Sequence, residues 1–171
     1  MDNAHIFAFR IISPMNITTI CIGKTDEKAI EELLKKYESR LPSHINYQRI
    51  EIPDLKNRKN LSEIQQKQKE GEQILAKIQN TDFVIILDEK GKQPTSVQFA
   101  NDIQNYMNQS VKNLVFVIGG PYGFDEPVYQ RGNKKMSLSN MTFTHQMVRL
   151  FLTEQIYRGF SILQGKPYHH E

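Results

Sequence analysis

Apolar residues fall along the chain in two alternating rhythms. Four short runs carry strand patterns: 16–22 (NITTICI), about 46–52 (NYQRIEI), 83–87 (FVIIL) and 114–118 (LVFVI). FVIIL and LVFVI are unbroken apolar stretches, the pattern of central strands covered on both faces, as in parallel sheets. Between the runs, apolar positions recur at helical spacing. In 26–41 they are Ile30, Leu33, Leu34, Tyr37 and Leu41, with Thr25 or Asp26 placed to cap the start and Pro42 to end the helix. In 61–79 they are Leu61, Ile64, Gly71, Ile74, Leu75 and Ile78, with Asn60 and Glu63 as a capping pair. Residues 95–108 give Val97, Ala100, Ile103 and Met107, and 144–163 give Val148, Phe151, Leu152, Ile156, Phe160 and Leu163. Strands alternating with helices predict an α/β fold on a mainly parallel sheet. There is no internal repeat, low-complexity tract or linker, so a single domain is expected.

In open α/β sheets, ligands bind beyond the carboxyl ends of the strands. Two such ends are marked by "ILDEKGK" (86–92) and "VIGGPYGF" (117–124), and a third loop, "KKMSLSNMTFTHQMVR" (134–149), leads into the last helix. Gly119-Gly120-Pro121-Tyr122-Gly123 is neither a dinucleotide fingerprint nor a P-loop, since it lacks both G-x-G-x-x-G and Lys-Ser/Thr. Two readings of these glycines stand at this point. One is a tight turn in which glycine supplies a positive φ, and the other is close approach of the main chain to a ligand.

Composition narrows the setting. The chain has 171 residues, enough for a core without disulfides or metals. Its one cysteine, Cys21, lies in an apolar run and reads as a core residue, and a reducing, cytoplasmic location follows. The start, residues 1–14, contains "IFAFRII", too short to cross a bilayer and a poor signal peptide; these residues read as an N-terminal extension ahead of the domain at 15–171. The net charge of +3 decides nothing. Basic residues cluster at "KNRK" (56–59), at "KQK" (67–69) and at Arg131, Lys134 and Lys135, and charge alone makes these ordinary solvated faces.

Several segments taken in order resemble one family. "NITTICIGK", "YQRIEIPD", "KEGEQILAKI", "ILDEKGK", "VIGGPYGF", "LSNMTFTHQMVRLFLTEQIYR" and the terminal "GKPYHHE" together resemble the SPOUT superfamily of knotted methyltransferases. Within it, the chain is similar to the small single-domain family that methylates N3 of a pseudouridine in bacterial 23S ribosomal RNA. The likeness runs from about Met15 to Glu171. It implies a parallel sheet with helices on both faces, a C-terminal trefoil knot, S-adenosylmethionine as cofactor, a homodimer, and ribosomal RNA in the ribosome as substrate. It places the cofactor against Leu87, Gly119 and the run Leu138, Ser139, Asn140, Met141, Thr142 and Phe143. Competing expectations keep the fold but change the target to another RNA such as tRNA, or make the chain a non-catalytic ribosome-associated RNA-binding module.

Candidate catalytic residues come from two places. His145 and Arg149, four apart, share one face of the last helix near the third loop. They either orient RNA phosphate or the substrate base, or else cap and pair within the fold. The family has proline before this histidine where this chain has Thr144. In the tail, Tyr168 and His169 match the family's Pro-Tyr-His ending and are expected beside the cofactor, in the partner subunit's pocket. Histidine is the side chain suited to proton transfer near neutral pH. His169 and His170 lack further ligands at sensible spacing, so no metal is expected. Glu154 and Arg158 read as an ordinary helix pair.

Overall fold

The computed structural model describes residues 14–169. Of the expected extension at 1–14 only Pro14 is described, and residues 170 and 171 also lie outside the described residues. Five strands and five helices alternate: β1 (Met15–Ile22), α1 (Lys28–Glu38), β2 (Ile45–Ile52), α2 (Glu63–Leu75), β3 (Phe83–Lys92), α3 (Ser96–Asn108), β4 (Asn113–Ile118), α4 (Glu126–Arg131), β5 (Lys134–Met136) and α5 (His145–Leu163). The sheet runs β2-β1-β4-β3-β5 with every pairing parallel.

Both faces are covered, as the two apolar runs require. Ile17, Cys21, Ile85, Leu114, Phe116 and Ile118 point to the side closed by α3 (Phe99, Ile103, Tyr106) and α5 (Leu152, Ile156, Phe160). Ile20, Ile22, Val84, Ile86, Val115 and Val117 point to the side closed by Ile74 of α2 and Val128 of α4. Cys21 is fully buried in the first core, and desolvation pushes its thiol up to about 12. It is a core side chain.

Helix starts follow side-chain capping, with differences from the expected positions. The capping box of α2 is Ser62 with Gln65, not Asn60 with Glu63. Thr95 with Gln98 caps α3, and Thr144 caps α5 by accepting from Met147 N at 3.3 Å. α1 starts after Glu27 with no side-chain cap, and the hydroxyl of Thr25, one of the expected caps, instead accepts from Arg49 and Arg149.

Two elements went unpredicted: the six-residue α4 and the three-residue β5. Neither is long enough to show a period. β3 also continues past Leu87 with a break in register before Lys92 rejoins β5 at Met136. Gly91 allows that closure, since a side-chain carbon there would lie 2.5 Å from the Met136 main chain. The excursion between the two pairings projects Asp88, Glu89 and Lys90 to the carboxyl edge of the sheet.

Candidate active site

The carboxyl edge opens onto a cleft of about 480 Å³, within the range of small-molecule sites. Its walls are the Leu87–Lys90 excursion, the Ile118–Phe124 turn and the loop from Met136 to Phe143 between β5 and α5, with Tyr129, His145 and Val148 completing them. Leu87, Gly119, Leu138, Ser139, Met141, Thr142 and Phe143 all line it. Asn140 belongs to the same loop but is turned toward Gln93, whose amide donates to its Oδ1 at 2.7 Å. The loop is tied internally. Ser137 donates to the Ser139 carbonyl at 2.8 Å, and Met141 N donates to the Ser139 hydroxyl at 2.9 Å.

The glycines do something other than leave a gap facing the cleft. A side-chain carbon on Gly119 would lie 2.9 Å from the Phe124 ring, and one on Gly120 would lie 2.3 Å from Glu70 Oε2. The absent side chains make room for Phe124 and for Glu70 of α2, which back the turn. Of the three, only Gly123 has a positive φ, +77°, and its N–H closes the turn onto the Gly120 carbonyl at 3.1 Å. The turn reading fits Gly123, whereas the groups that crowd Gly119 and Gly120 are the Phe124 ring and the Glu70 carboxylate, not a ligand.

The acidic residues of the cleft wall, Asp88 and Glu89, both come from the excursion of β3. Asp88 Oδ1 accepts from Lys90 N at 2.8 Å, and Oδ2 accepts from the Tyr129 hydroxyl at 2.5 Å. Burial and that bond push the Tyr129 phenol up to about 12, so it remains a donor. In the sequence Asp88 stands out only as one residue of ILDEKGK, with no role of its own. Tyr129 had no signal, because it sits on the unpredicted α4.

His145 opens α5 on the cleft wall. Burial, reinforced by the Arg149 charge, lowers its pKa from the ordinary histidine value, which keeps the ring neutral at pH 7. Arg149 does not share that wall. It is 1% exposed, and its guanidinium donates to the carbonyls of Ile22 (2.6 Å) and Gly23 (3.0 Å) and to the Thr25 hydroxyl (2.8 Å), with Glu51 at 3.8 Å. Of the two readings of Arg149, this placement fits the one in which it pairs within the fold. A guanidinium spent on the end of β1 has no face open to a strand outside.

Tyr168 and His169 pack on their own chain, outside the lining of its cleft. The Tyr168 hydroxyl donates to Glu154 Oε1 at 3.0 Å, and its ring lies 4.8 Å from that of Tyr157 with Arg158 above it at 4.7 Å. His169 Nδ1 lies 3.3 Å from Arg158 Nη1. Burial, with the Tyr37 hydroxyl and the Glu154 carboxylate beside it, raises the Tyr168 phenol. Glu154 and Arg158 stand 9 and 13 residues beyond His145, roughly 14–20 Å along the helix axis. The Glu154–Arg158 pair read as structural is thus also the clamp that holds the tail. Among the described residues there is no group of three or more His, Cys, Asp or Glu poised for a metal, and no helix long and apolar enough to cross a membrane.

A parallel sheet whose carboxyl-edge loops enclose such a cleft defines a ligand-binding α/β domain. Comparison with known proteins makes the class specific. The chain belongs to the SPOUT methyltransferases: residues 15–169 match the family described as "Predicted SPOUT methyltransferase". It is 59% identical over 156 residues to the "Ribosomal RNA large subunit methyltransferase H" of Christiangramia forsetii, covering 91% of this chain and 99% of that one. The proteins of the same name from Flavobacterium johnsoniae and Parabacteroides distasonis are 57% and 53% identical, each over 92% of this chain and all of theirs. Among solved structures, a probable methylase family protein from Haemophilus influenzae Rd KW20 superposes with a TM-score of 0.53 at 11% identity, covering 94% of this chain and 72% of that one, a likeness of fold alone.

Proposed function

We propose that the protein transfers a methyl group from S-adenosylmethionine to N3 of a pseudouridine in the 23S rRNA of the large ribosomal subunit, in the cytoplasm. The observation that carries this reading is the convergence of Leu87, Gly119, Leu138, Ser139, Met141, Thr142 and Phe143 on one cleft, from loops far apart in sequence. The names of relatives matched over their whole length support large-subunit ribosomal RNA as the target, and the family resemblance supplies N3 of a pseudouridine.

The cleft fits the cofactor. Leu87, Leu138, Met141 and Phe143 form apolar walls for an adenine ring, while Ser139, Thr142 and main-chain groups at 119–120 and 137–141 offer donors and acceptors for its edge and the ribose. S-adenosylmethionine has no phosphate, so no helix-terminus anion site is needed. It is cationic at sulfur, and Asp88 and Glu89 give the wall the complementary sign. Bound there, it supplies an electrophilic methyl carbon. The chain's part is to hold the imide nitrogen in line with that carbon and to favour its deprotonated form.

Tyr168 and His169 are the proposed groups for the substrate base, presented to the cleft of a second subunit in a homodimer. Their anchorage on the far part of α5 supports this arrangement, since it keeps them from their own cleft. His145, neutral at the cleft wall, is the proposed contact on the cofactor side of the site. Arg149 is the strut that fixes α5, and so His145, against the end of β1. The C-terminal knot belongs to the same proposal. The chain leaves β4 over one face with α4, adds β5 at the edge beyond β3, and returns across the other face with α5, a path that supports threading.

The test is nucleoside mass spectrometry of 23S rRNA from a strain lacking this gene. Loss of the methyl-pseudouridine signal, restored by the gene in trans, is expected. An unchanged signal rejects the substrate, and side-by-side assays on ribosomes and tRNA would then identify the RNA acted on.

A further inference from the structure

The structure separates two of the three basic clusters, the one at Arg131, Lys134 and Lys135 and the one at 56–59. Arg131 donates to the carbonyls of Gln79 (2.6 Å) and Asp82 (2.9 Å), while Lys134 lies 4.9 Å over the Tyr106 ring and Lys135 4.2 Å over Tyr129. That cluster is consumed by internal contacts. The cluster at 56–59 is not. Lys56, Arg58 and Lys59 are exposed, and among the described residues their one ion pair is the solvent-facing Arg58–Asp54 contact at 3.1 Å.

These charges stand on an ordered turn. Asn57 is left-handed (φ 59°), Asn60 N donates to the Asn57 carbonyl at 3.0 Å, and Leu61 N donates to that of Arg58 at 3.1 Å, directly before the Ser62 capping box. The backbone that displays the cations is therefore fixed before any partner arrives, which lowers the ordering entropy of binding.

The turn follows Asp54, which stands beside the end of β1. The Asp54 carboxylate would lie 3.4 Å from a side-chain carbon on Gly23, and its charge acts on His145 in the cleft wall. On the neighbouring side Lys24 is exposed, and its carbonyl accepts from Gln146, next to His145. At the mouth stands Tyr122, 45% exposed on the glycine turn.

We propose that the turn 56–59, with Lys24 and the ring of Tyr122, is the surface on which the RNA strand carrying the target nucleotide docks. Lys56, Arg58, Lys59 and Lys24 neutralise phosphates, and Tyr122 receives the face of a base unstacked beside the reacting one. This rests on the reading that the substrate is ribosomal RNA.

The experiment uses the full chain and ribosomes from a strain lacking the gene, with ribosome binding and methyl transfer measured separately between 50 and 200 mM salt, about the range over which phosphate contacts are resolved. The triple variant Lys56→Ala/Arg58→Ala/Lys59→Ala is expected to bind ribosomes at least about tenfold more weakly at physiological salt. Its log-affinity against log-salt slope should be shallower by about two to three, at roughly 0.7–0.9 for each phosphate no longer neutralised. Its cofactor affinity by calorimetry and its melting temperature should match wild type. Tyr122→Ala should weaken binding with little change of slope. The control Lys77→Ala/Lys112→Ala, at the opposite edge of the sheet, should leave both unchanged. A triple variant with wild-type affinity and slope, or one no weaker than the control, overturns the docking surface even if transfer to 23S rRNA is normal. Binding that shows the expected slope change, without transfer to 23S rRNA by wild type, defeats the pseudouridine reading and retains the surface.

Discussion

Glu70 and Gly120 hold α2 against the turn that forms one wall of the cleft. A side-chain carbon at position 120 would lie 2.3 Å from Glu70 Oε2, and the next residue repeats the fit in reverse, since a carbon on Gly71 would lie 2.3 Å from Asp125 Oδ1. Helix and turn interlock through two glycines and two carboxylates. Gly120→Ala is expected to lower stability by about 1–3 kcal/mol through overpacking. In a double-mutant cycle with Glu70→Ala, much of that loss should vanish, giving a coupling of about 0.5–3 kcal/mol. Denaturant unfolding of the four proteins measures it, and additive losses would contradict the interlock.

The same carboxylate sets a pH dependence. Glu70 is 3% exposed; Oε1 accepts from Gln66 Nε2 at 2.7 Å, and Oε2 has no hydrogen-bond partner among the described residues. Burial raises its pKa from the ordinary carboxyl value. The folded chain therefore keeps this proton to higher pH than the unfolded chain. The stability the group contributes is fully present below the ordinary carboxyl pKa and is lost as pH rises through the folded value. Glu70→Gln keeps the acceptor for Gln66 and never ionises. Its stability relative to wild type should improve between about pH 4 and pH 7, the span above the ordinary carboxyl pKa. Unfolding at a series of pH values tests this, and a flat or declining difference contradicts it.

Gly119→Val places a branched side chain against the Phe124 ring, which is itself buried in the second core. The variant should lose about 1–3 kcal/mol of stability or more. Its cofactor affinity should fall because the turn is displaced from behind. Pairing it with Phe124→Leu, which opens space on that side, should recover part of both losses by melting and calorimetry. If cofactor affinity falls with no loss of stability, the side chain fills the cleft instead.

Arg149→Met removes a buried guanidinium from two carbonyls, a hydroxyl and the vicinity of Glu51. The expected loss is about 3 kcal/mol or more, a fall in melting temperature of roughly 6–12 °C. At temperatures where the variant is folded, the salt slope of ribosome binding should equal that of wild type. A shallower slope with unchanged melting would return Arg149 to the RNA.

Removing residues 168–171 strips the Tyr168 ring from Tyr157 and its bond from Glu154. Cofactor affinity should stay within about twofold, since the tail lies outside its own cleft, while transfer should drop at least about 100-fold, the size expected when a positioned proton-transfer group is removed. Mixing this variant with a subunit crippled in the cleft but intact in the tail should restore activity at one kind of site. Full activity of the truncated chain alone would show the tail to be passive.

The periodic elements were legible in the sequence because their signals are local. FVIIL and LVFVI became the central β3 and β4, and the stripe of Val148, Leu152, Ile156 and Phe160 became α5. α4 and β5 were not legible, as six and three residues are too few to establish a period, and β5 exists only because β3 offers it an edge. The cleft residues followed from family resemblance, not from pattern. The reason for the glycines was not legible, because a sequence does not show that Glu70, fifty positions earlier, and Phe124 occupy the space beside them. Arg149 was out of reach for a related reason. Its helix face was correct, but its depth was fixed by carbonyls of β1 more than a hundred residues away. Thr144, at the position where the resemblance led to an expectation of proline, caps α5 with its hydroxyl.

The most direct measurement is a crystal structure of the protein soaked with S-adenosylmethionine. The account predicts density for the whole molecule in the cleft, its adenine among Leu87, Leu138, Met141 and Phe143 and its sulfonium toward Asp88 and Glu89. A cofactor bound elsewhere on the chain, or a cleft that stays free of it at saturating concentration, would contradict the account.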